Sequence, residues 1–367
     1  MKRYTEPYHP PIETHLEEET LPHYSPGHYC PVELGDTYQE RYQIKAKIGY
    51  GAYSTSWLCR DLRKTSYGIL KVSTYLLNFP TATDRERNVY EPLSKVDSLH
   101  PGQSLIRELY GSFDIVGPVG RHSCLVFQPM HMTLLEMMRR NSKPFGLPLL
   151  KMTVKRLLLA LDFLHSDAGV VHTDLKTDNL MLSLEDDNML SAFAEAEAHD
   201  PSPRKIIDES RTIYKSRPFS RPPDDKGYGL PILCDFGEAR IGKRHESGPF
   251  VQLHIYRAPE RLALMVALIG PPPAEFGRRS ETTGQCFDPS AGAWLAHADA
   301  VIPPVSLENL ERRLSGQEKE SFLDFLRSML KWPPEERKTA RQLLQDPWLL
   351  EPTDRLNMHL HISTIKS

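Results

Sequence analysis

The residues from His172 to Asn179, read as "HTDLKTDN", set a carboxylate (Asp174), an ammonium two positions on (Lys176) and an amide three further on (Asn179). Phosphoryl transfer needs such a set. A carboxylate orients the attacking hydroxyl and accepts its proton, a cation sits near the γ-phosphate, and an oxygen ligand holds Mg2+. Downstream, "ILCDFGEAR" at 232–240 places Asp235 after a short apolar strand and before Phe236 and a flexible Gly237. Mg2+ is a hard cation that prefers such oxygen donors.

Three more pieces have the right chemistry and an ordinary alternative each. In "KIGYGAYSTSWL" at 47–58, Gly49 and Gly51 lie between two strands, with Ser54 at the third position. Glycine lets backbone N–H groups approach a phosphate, although a plain hairpin turn would look the same. In "GILKVS", Lys71 stands in an apolar strand, where an ammonium is costly unless paired. It is either an edge lysine reaching solvent or the partner of a carboxylate on the next helix. Glu86 is preferred over Glu91 because Val89 and Tyr90 then face inward. Finally, "YRAPE" at 256–260 ends in Glu260, which Arg337 of "PPEERKTA" could pair. With Lys71 and Glu86 counted separately, six pieces in one fixed order make coincidence a poor explanation.

These residues need elements to hold them. Residues 1–37 are rich in Pro, Glu, His and Tyr without a clear period, which predicts an extended arm. From 38 to 130, "YQIKAKIG", "TSWLCRDL", "YGILKVS", "LIRELYGSFDI" and "HSCLVFQPM" read as strands, interrupted by one helix at 81–96. From 131 to 350 the pattern is mainly helical: "TLLEMMRRN", the long apolar "PLLKMTVKRLLLALDFLH", then "LENLERRLS", "EKESFLDFLRSMLK" and "TARQLLQDPWL". A polar, proline-rich segment at 183–230 predicts one short helix near 189–198 in an otherwise extended insert, either solvated or functional. Residues 351–367 form a tail. The expectation is an α+β chain with a small antiparallel sheet carrying one helix, and a larger, mainly helical lobe.

Bulk properties agree. At 367 residues the chain exceeds the roughly 250–300 at which one core stops growing. It is 40% hydrophobic and 25% charged, with a net charge of −3, so nothing draws it as a whole to nucleic acid or membrane. Its five cysteines (Cys30, Cys59, Cys124, Cys234, Cys286) form no CxxC pair, which favours reduced thiols over disulfides or zinc. The longest apolar run, "LALMVALIG", is about half of the ~20 residues of a membrane span. A soluble, cytoplasmic or nuclear monomer is expected.

Taken together, the motifs resemble a eukaryotic protein kinase from about residue 40 to 350, with a bilobal fold. "GYGAYSTSWLCRD", "HTDLKTDN" with threonine after histidine, the insert before the DFG strand, and Arg257 are similar to SR-protein kinases of the CMGC group, fungal type. The resemblance implies an ATP- and Mg2+-dependent serine/threonine kinase acting on Ser/Arg-rich, splicing-type proteins. By that resemblance Asp174 is the base and Lys176 sits near the γ-phosphate. Asn179 and Asp235 hold Mg2+, Lys71 holds the α/β-phosphates, and Glu86 holds Lys71. Ile48, Gly49, Gly51 and Ser54 form the glycine-rich loop, Phe127 is the gatekeeper, and Gln128 to Met130 form the hinge for adenine. Thr173, where other kinases carry a phosphate-holding arginine, implies activity without activation-loop phosphorylation. Leu253 stands where many relatives have threonine. After Glu260 the chain passes directly into "RLALMVALIGPPPAEF" without the helix αF aspartate that the resemblance requires. The alternative is therefore a catalytically impaired, ATP-binding or scaffolding protein of the same fold. A skipped exon would account for the gap in a different way.

Overall fold

The computed structural model describes residues 6–75, 82–141, 143–184, 188–219, 229–242, 259–277, 287–288, 293–295 and 300–350. The chain divides into two compact units, residues 1–146 with 163–243, and 147–162 with 244–367.

In the first unit β-branched and aromatic residues at alternating positions build an antiparallel sheet in the order β1-β2-β3-β4-β6-β5. Its strands are β1 (Thr37–Tyr38), β2 (Tyr42–Gly51), β3 (Ser54–Asp61), β4 (Ser66–Ser73), β5 (Leu109–Val116) and β6 (Arg121–Phe127). Because successive side chains point to opposite faces, Leu70 and Val72 of β4 join one core with Trp57, Cys59 and Val126. Ile69 packs on the other face with Ala46 and Leu58, and alternation carries Lys71 to that face. Helix α1 (Ala82–Leu93) packs on β4 and β6. A smaller sheet, β12-β9-β7, joins β7 (Met130–Thr133), β9 (Leu180–Ser183) and β12 (Pro231–Leu233). Its β9 follows Asp174 and its β12 leads into Asp235, with α2 (Leu134–Arg140) packed on β7 and β9. A separate pair, β8 (Val170–Val171) with β13 (Arg240–Ile241), joins the segment before Asp174 to the one after Asp235.

The described part of the insert is structural rather than solvated. Within it, α4 (Asn188–His199) buries Leu190 and Phe193 against Ala46, Leu58 and Ile69. The hairpin of β10 (Arg204–Asp208) and β11 (Arg211–Tyr214) sends Tyr214 into the opposite core. The two parts of the insert therefore cover opposite faces of the same sheet. Its polar composition hid this, because a few well-placed apolar residues suffice to dock it.

Residues 6–36 also differ from a free extended arm. A 3-10 turn, Glu17–Thr20, brings three consecutive carboxylates to three partners. Glu18 pairs with the buried Lys47 of β2, Glu19 with Lys205 of the hairpin at 2.8 Å, and Glu17 accepts from Ser216 at 2.6 Å. Tyr29 donates its hydroxyl to the carbonyl of Gly51 at 3.1 Å, at the tip of the β2–β3 hairpin. The arm thus fastens the insert to the strand that leads into the glycine turn.

In the second unit α3 (Leu147–Phe163) packs through Leu158 on Phe325 of the helix Gly316–Met329 and on Trp348. Helix α5 (Pro259–Ile269) lays Leu262, Met265, Val266 and Ile269 on Phe287 and Trp332. It ends at Gly270, whose φ of +79° is the left-handed stop that glycine takes without strain. The Trp332 indole donates to that glycine's carbonyl at 2.9 Å. Two expected helices are shorter than their patterns. Leu307–Leu310 ends where Glu311 turns back to accept from the Arg313 and Leu314 N–H groups. Ala340–Leu343 gives way to turns around Asp346. Arg337 donates to the carbonyls of Lys331 and Trp332, and the side chain of its expected partner Glu260 lies outside the described residues. No helix among the described residues is long and apolar enough to cross a membrane.

The buried Glu18–Lys47 pair gives a direct test of the arm. Removing one partner of a buried pair typically costs about 3–5 kcal/mol, whereas replacing both by apolar groups costs far less. Glu18→Ala is expected to lower the urea midpoint of unfolding strongly, and Glu18→Leu with Lys47→Met to restore most of it. Equal loss in both would show that the arm is held by something else.

Candidate active site

Lys71 lies on β4 opposite Ser56 of β3 and Leu125 of β6, and its ammonium pairs with Glu86 of α1 at 2.7 Å. Burial alone would lower the lysine's pKa. The charges of Glu86 and Asp235, with the Glu86 hydrogen bond, outweigh that and leave it raised. Glu91, the competing candidate, bonds Arg87 one turn earlier on the same helix, at 2.7 Å. Two aromatic contacts fix α1, and a third extends the row to the catalytic loop. Tyr90 meets Phe127 at 5.1 Å and Phe236 at 5.0 Å, and Phe236 meets His172 at 4.8 Å. These edge and tilted pairs link the α1 helix to the strand end at Phe127, the DFG segment and the catalytic loop.

The carboxylate of Asp174 is held at one oxygen. Lys176 donates to Oδ2 at 2.6 Å, and the Asn179 amide nitrogen donates to the same oxygen at 3.0 Å and to the Asp174 carbonyl at 2.9 Å. That arrangement commits the Asn179 nitrogen and leaves its amide oxygen as the atom able to ligate a cation. Burial opposes the Lys176 charge, but Asp174 raises its pKa overall. Asp235 is lowered in spite of burial, first by the charge of Lys71, then by the Gly237 N–H and Lys176. It is therefore an ionised carboxylate. The oxygens of Asn179 and Asp235 suit a hard divalent cation. Gly49, with nothing within 4 Å of where a Cβ would stand, leaves the turn open to a phosphate. Ile48 precedes that turn, and Gly51 pairs with Ser54 to close it.

Among the residues singled out at this site, two hold left-handed backbone angles, Thr173 (φ +66°) and Asp235 (φ +61°). For aspartate this is tolerated. For a β-branched threonine it costs on the order of 1–3 kcal/mol, and needs compensation. The Thr173 hydroxyl supplies it by donating to the Glu238 carbonyl at 2.6 Å. The Glu238 side chain in turn accepts from Arg85 of α1 at 2.8 Å, and Arg85 Nε donates to the Gly237 carbonyl at 2.9 Å. The segment after Asp235 is thereby held between catalytic loop and helix α1. Sequence reading did not single out Arg85 or Glu238. The only available signal was that Arg85 adjoins Glu86 and Glu238 closes "DFGE".

The loop's remaining support comes from its flank. His172 accepts the Asp174 N–H on Nδ1 at 3.3 Å, so its Nε2 carries the hydrogen and donates to the Cys234 carbonyl at 3.0 Å. The Cys234 N–H donates to the Asn179 carbonyl at 2.8 Å. Burial pushes the Cys234 thiol up to about 12 and Cys30 up to about 11, so neither is a poised nucleophile. Leu253 and the segment Tyr256–Ala258, with the side chain of Glu260, lie outside the described residues.

Comparison with known proteins agrees with this geometry. The protein kinase domain family matches residues 42–214. A solved kinase domain superposes with a TM-score of 0.63 at 19% identity, over 88% of this chain and 99% of its own, which establishes the fold. Human SRSF protein kinase 3 is 31% identical over 52% of this chain and 35% of its own length. A serine/threonine protein kinase of Aspergillus fumigatus is 39% identical over 380 aligned positions, covering 91% of both chains.

The histidines set a pH dependence. Burial holds His172 and His122 below the ordinary 6.5, so both are neutral when folded. The unfolded chain binds their protons more readily. Stability that is full above pH ~6.5 is thus lost progressively as pH falls from that value through the lower folded pKa. The urea midpoint is expected to drop as pH falls below about 6.5, with His122→Gln flattening the drop. A midpoint that rises on acidification would contradict the neutral assignment.

With a relative of that identity spanning nine-tenths of both chains, and the fold and motif order in agreement, the chain belongs to the serine/threonine protein kinases, with SR-protein kinases among its relatives.

Proposed function

We propose that the protein transfers the γ-phosphoryl group of ATP, with Mg2+, to serine hydroxyls of Ser/Arg-rich proteins. The observation that carries this reading is the convergence of Asp174, Lys176, Asn179, Asp235 and the Lys71–Glu86 pair in one unit. Both side-chain bonds to Asp174 fall on Oδ2, which leaves Oδ1 to accept from an incoming hydroxyl. Asp174 takes the hydroxyl proton as the serine oxygen bonds to phosphorus and the bond to the leaving diphosphate breaks. Lys176 offsets negative charge on the transferred group, and Lys71, kept straight by Glu86, grips the α- and β-phosphates. Asn179 and Asp235 would hold Mg2+, whose charge draws electron density from the phosphates when bound. The Ser/Arg-rich substrate class rests on the likeness to SR-protein kinases.

The same geometry supports activity that does not depend on phosphorylation. A guanidinium after His172 would call for a phosphate partner, and Thr173 instead bonds the Glu238 backbone. That hydrogen bond is present without any phosphate.

A second reading, a nucleotide-binding scaffold without transfer, is favoured by one feature. After Glu260 the helix α5 carries no acidic residue, where the resemblance requires a helix with an aspartate under the catalytic loop. The 380-position alignment is longer than this chain, so the relative has positions with no counterpart here. Two measurements separate the readings. Mg-ATP at about 100 times its Kd should stabilise the protein by about 2.7 kcal/mol under either. Transfer to an Arg-Ser peptide, lost in Asp174→Asn while the thermal shift persists, is expected only of the kinase. Binding without transfer in the wild type would leave the scaffold, and no shift at all would remove both.

A further inference from the structure

The backbone that would meet a purine base lies between Phe127 and Met130, and much of it is already engaged. The Gln128 N–H donates to the Glu108 carbonyl at 2.9 Å. The Gln128 carbonyl accepts from Arg107 Nε at 2.9 Å. Pro129 has no N–H to offer. The Arg107 guanidinium lies over the Phe127 ring, 4.8 Å from its centroid. Its backbone is fixed as well, since the Arg107 N–H donates to the Leu233 carbonyl at 2.9 Å, one residue before Cys234. A rigid backbone thus sends a guanidinium across the gatekeeper ring to the first hinge carbonyl.

A guanidinium carries five N–H donors and no acceptor, and only Nε is spent on Gln128. The two purines differ in what they show such a group. Adenine presents an exocyclic amine, itself a donor, beside N7. Guanine presents O6 beside N7, two acceptors that match the guanidinium fork. A carbonyl that already accepts from Arg107 also has less to give to an amine.

We propose that Arg107 is a base-reading residue and that the nucleotide site accepts guanine nucleotides at least as well as adenine nucleotides. This rests on the nucleotide-binding reading above and widens the set of phosphoryl donors it admits. The rest of the machinery is indifferent to the base, because Lys71, Asn179 and Asp235 meet only phosphate and metal.

The test compares Mg-GTP and Mg-ATP by calorimetry and thermal shift, on the whole chain, for the wild type, Arg107→Leu and Arg107→Lys. The wild type is expected to bind GTP with a Kd equal to or below that for ATP. Arg107→Leu, which keeps bulk and loses every donor, should move the ratio toward ATP by about ten-fold or more. Arg107→Lys keeps the charge without the fork and should move it in the same direction; it carries the test alone if the leucine variant does not fold. ATP binding with GTP about a hundred-fold weaker in the wild type, or a ratio unchanged in both variants, would overturn the role of Arg107 while leaving the kinase reading intact. Failure of both nucleotides to bind any of the three proteins would instead remove the nucleotide-binding reading, and this inference with it.

Discussion

A lysine ammonium on an apolar strand must be paired, and in this protein much else follows from how Lys71 is paired. Its partner Glu86 sits on a helix, so the bond is made only when that helix stands against β4 and β6. The helix is held there by apolar and polar contacts together. Tyr90 wedges against Phe127 and Phe236, and Arg85 bonds Gly237 and Glu238. Those contacts in turn fix the DFG segment, which presents Asp235 as an ionised carboxylate. Exposed ion pairs such as Arg85–Glu238 are individually weak. Here the pair is one part of a set that includes two backbone carbonyls and a continuous row of rings, and it acts by restraint.

The same logic extends outward. The strand that leads into the glycine turn carries Lys47, a second buried ammonium, and its carboxylate comes from the N-terminal arm. The arm also binds the insert through Lys205 and Ser216, while the insert's helix and hairpin pack on the two faces of the sheet. Segments that look peripheral in composition therefore complete the sheet that positions Lys71.

How much of this was legible beforehand depended on the range of the interaction. Strand alternation marked the sheet, and the spacing of Asp174, Lys176, Asn179 and Asp235 marked the candidate site. The choice of Glu86 over Glu91 could be made because it follows from helix periodicity alone, with Val89 and Tyr90 facing inward. The insert and the arm were not legible as packed structure, since Leu190, Phe193, Glu18 and Glu19 meet partners far away in the sequence. Glu238 and Arg107 were hidden for a related reason. Each acts through a backbone carbonyl, Glu238 by giving its own and Arg107 by bonding another, and carbonyls carry no sequence signature. Helices at 307–310 and 340–343 were overextended because side-chain caps and turns end them before the apolar pattern runs out.

The central claim is that the Lys71–Glu86 pair stands ready in the unliganded, unphosphorylated chain, held by α1 and the segment after Asp235. Hydrogen exchange of the amides of residues 82–93 tests it most directly, in phosphatase-treated protein with and without Mg-nucleotide. The amides of α1 are expected to be protected already, with nucleotide adding little. Free exchange of α1 that slows only after nucleotide or phosphate is supplied would contradict it.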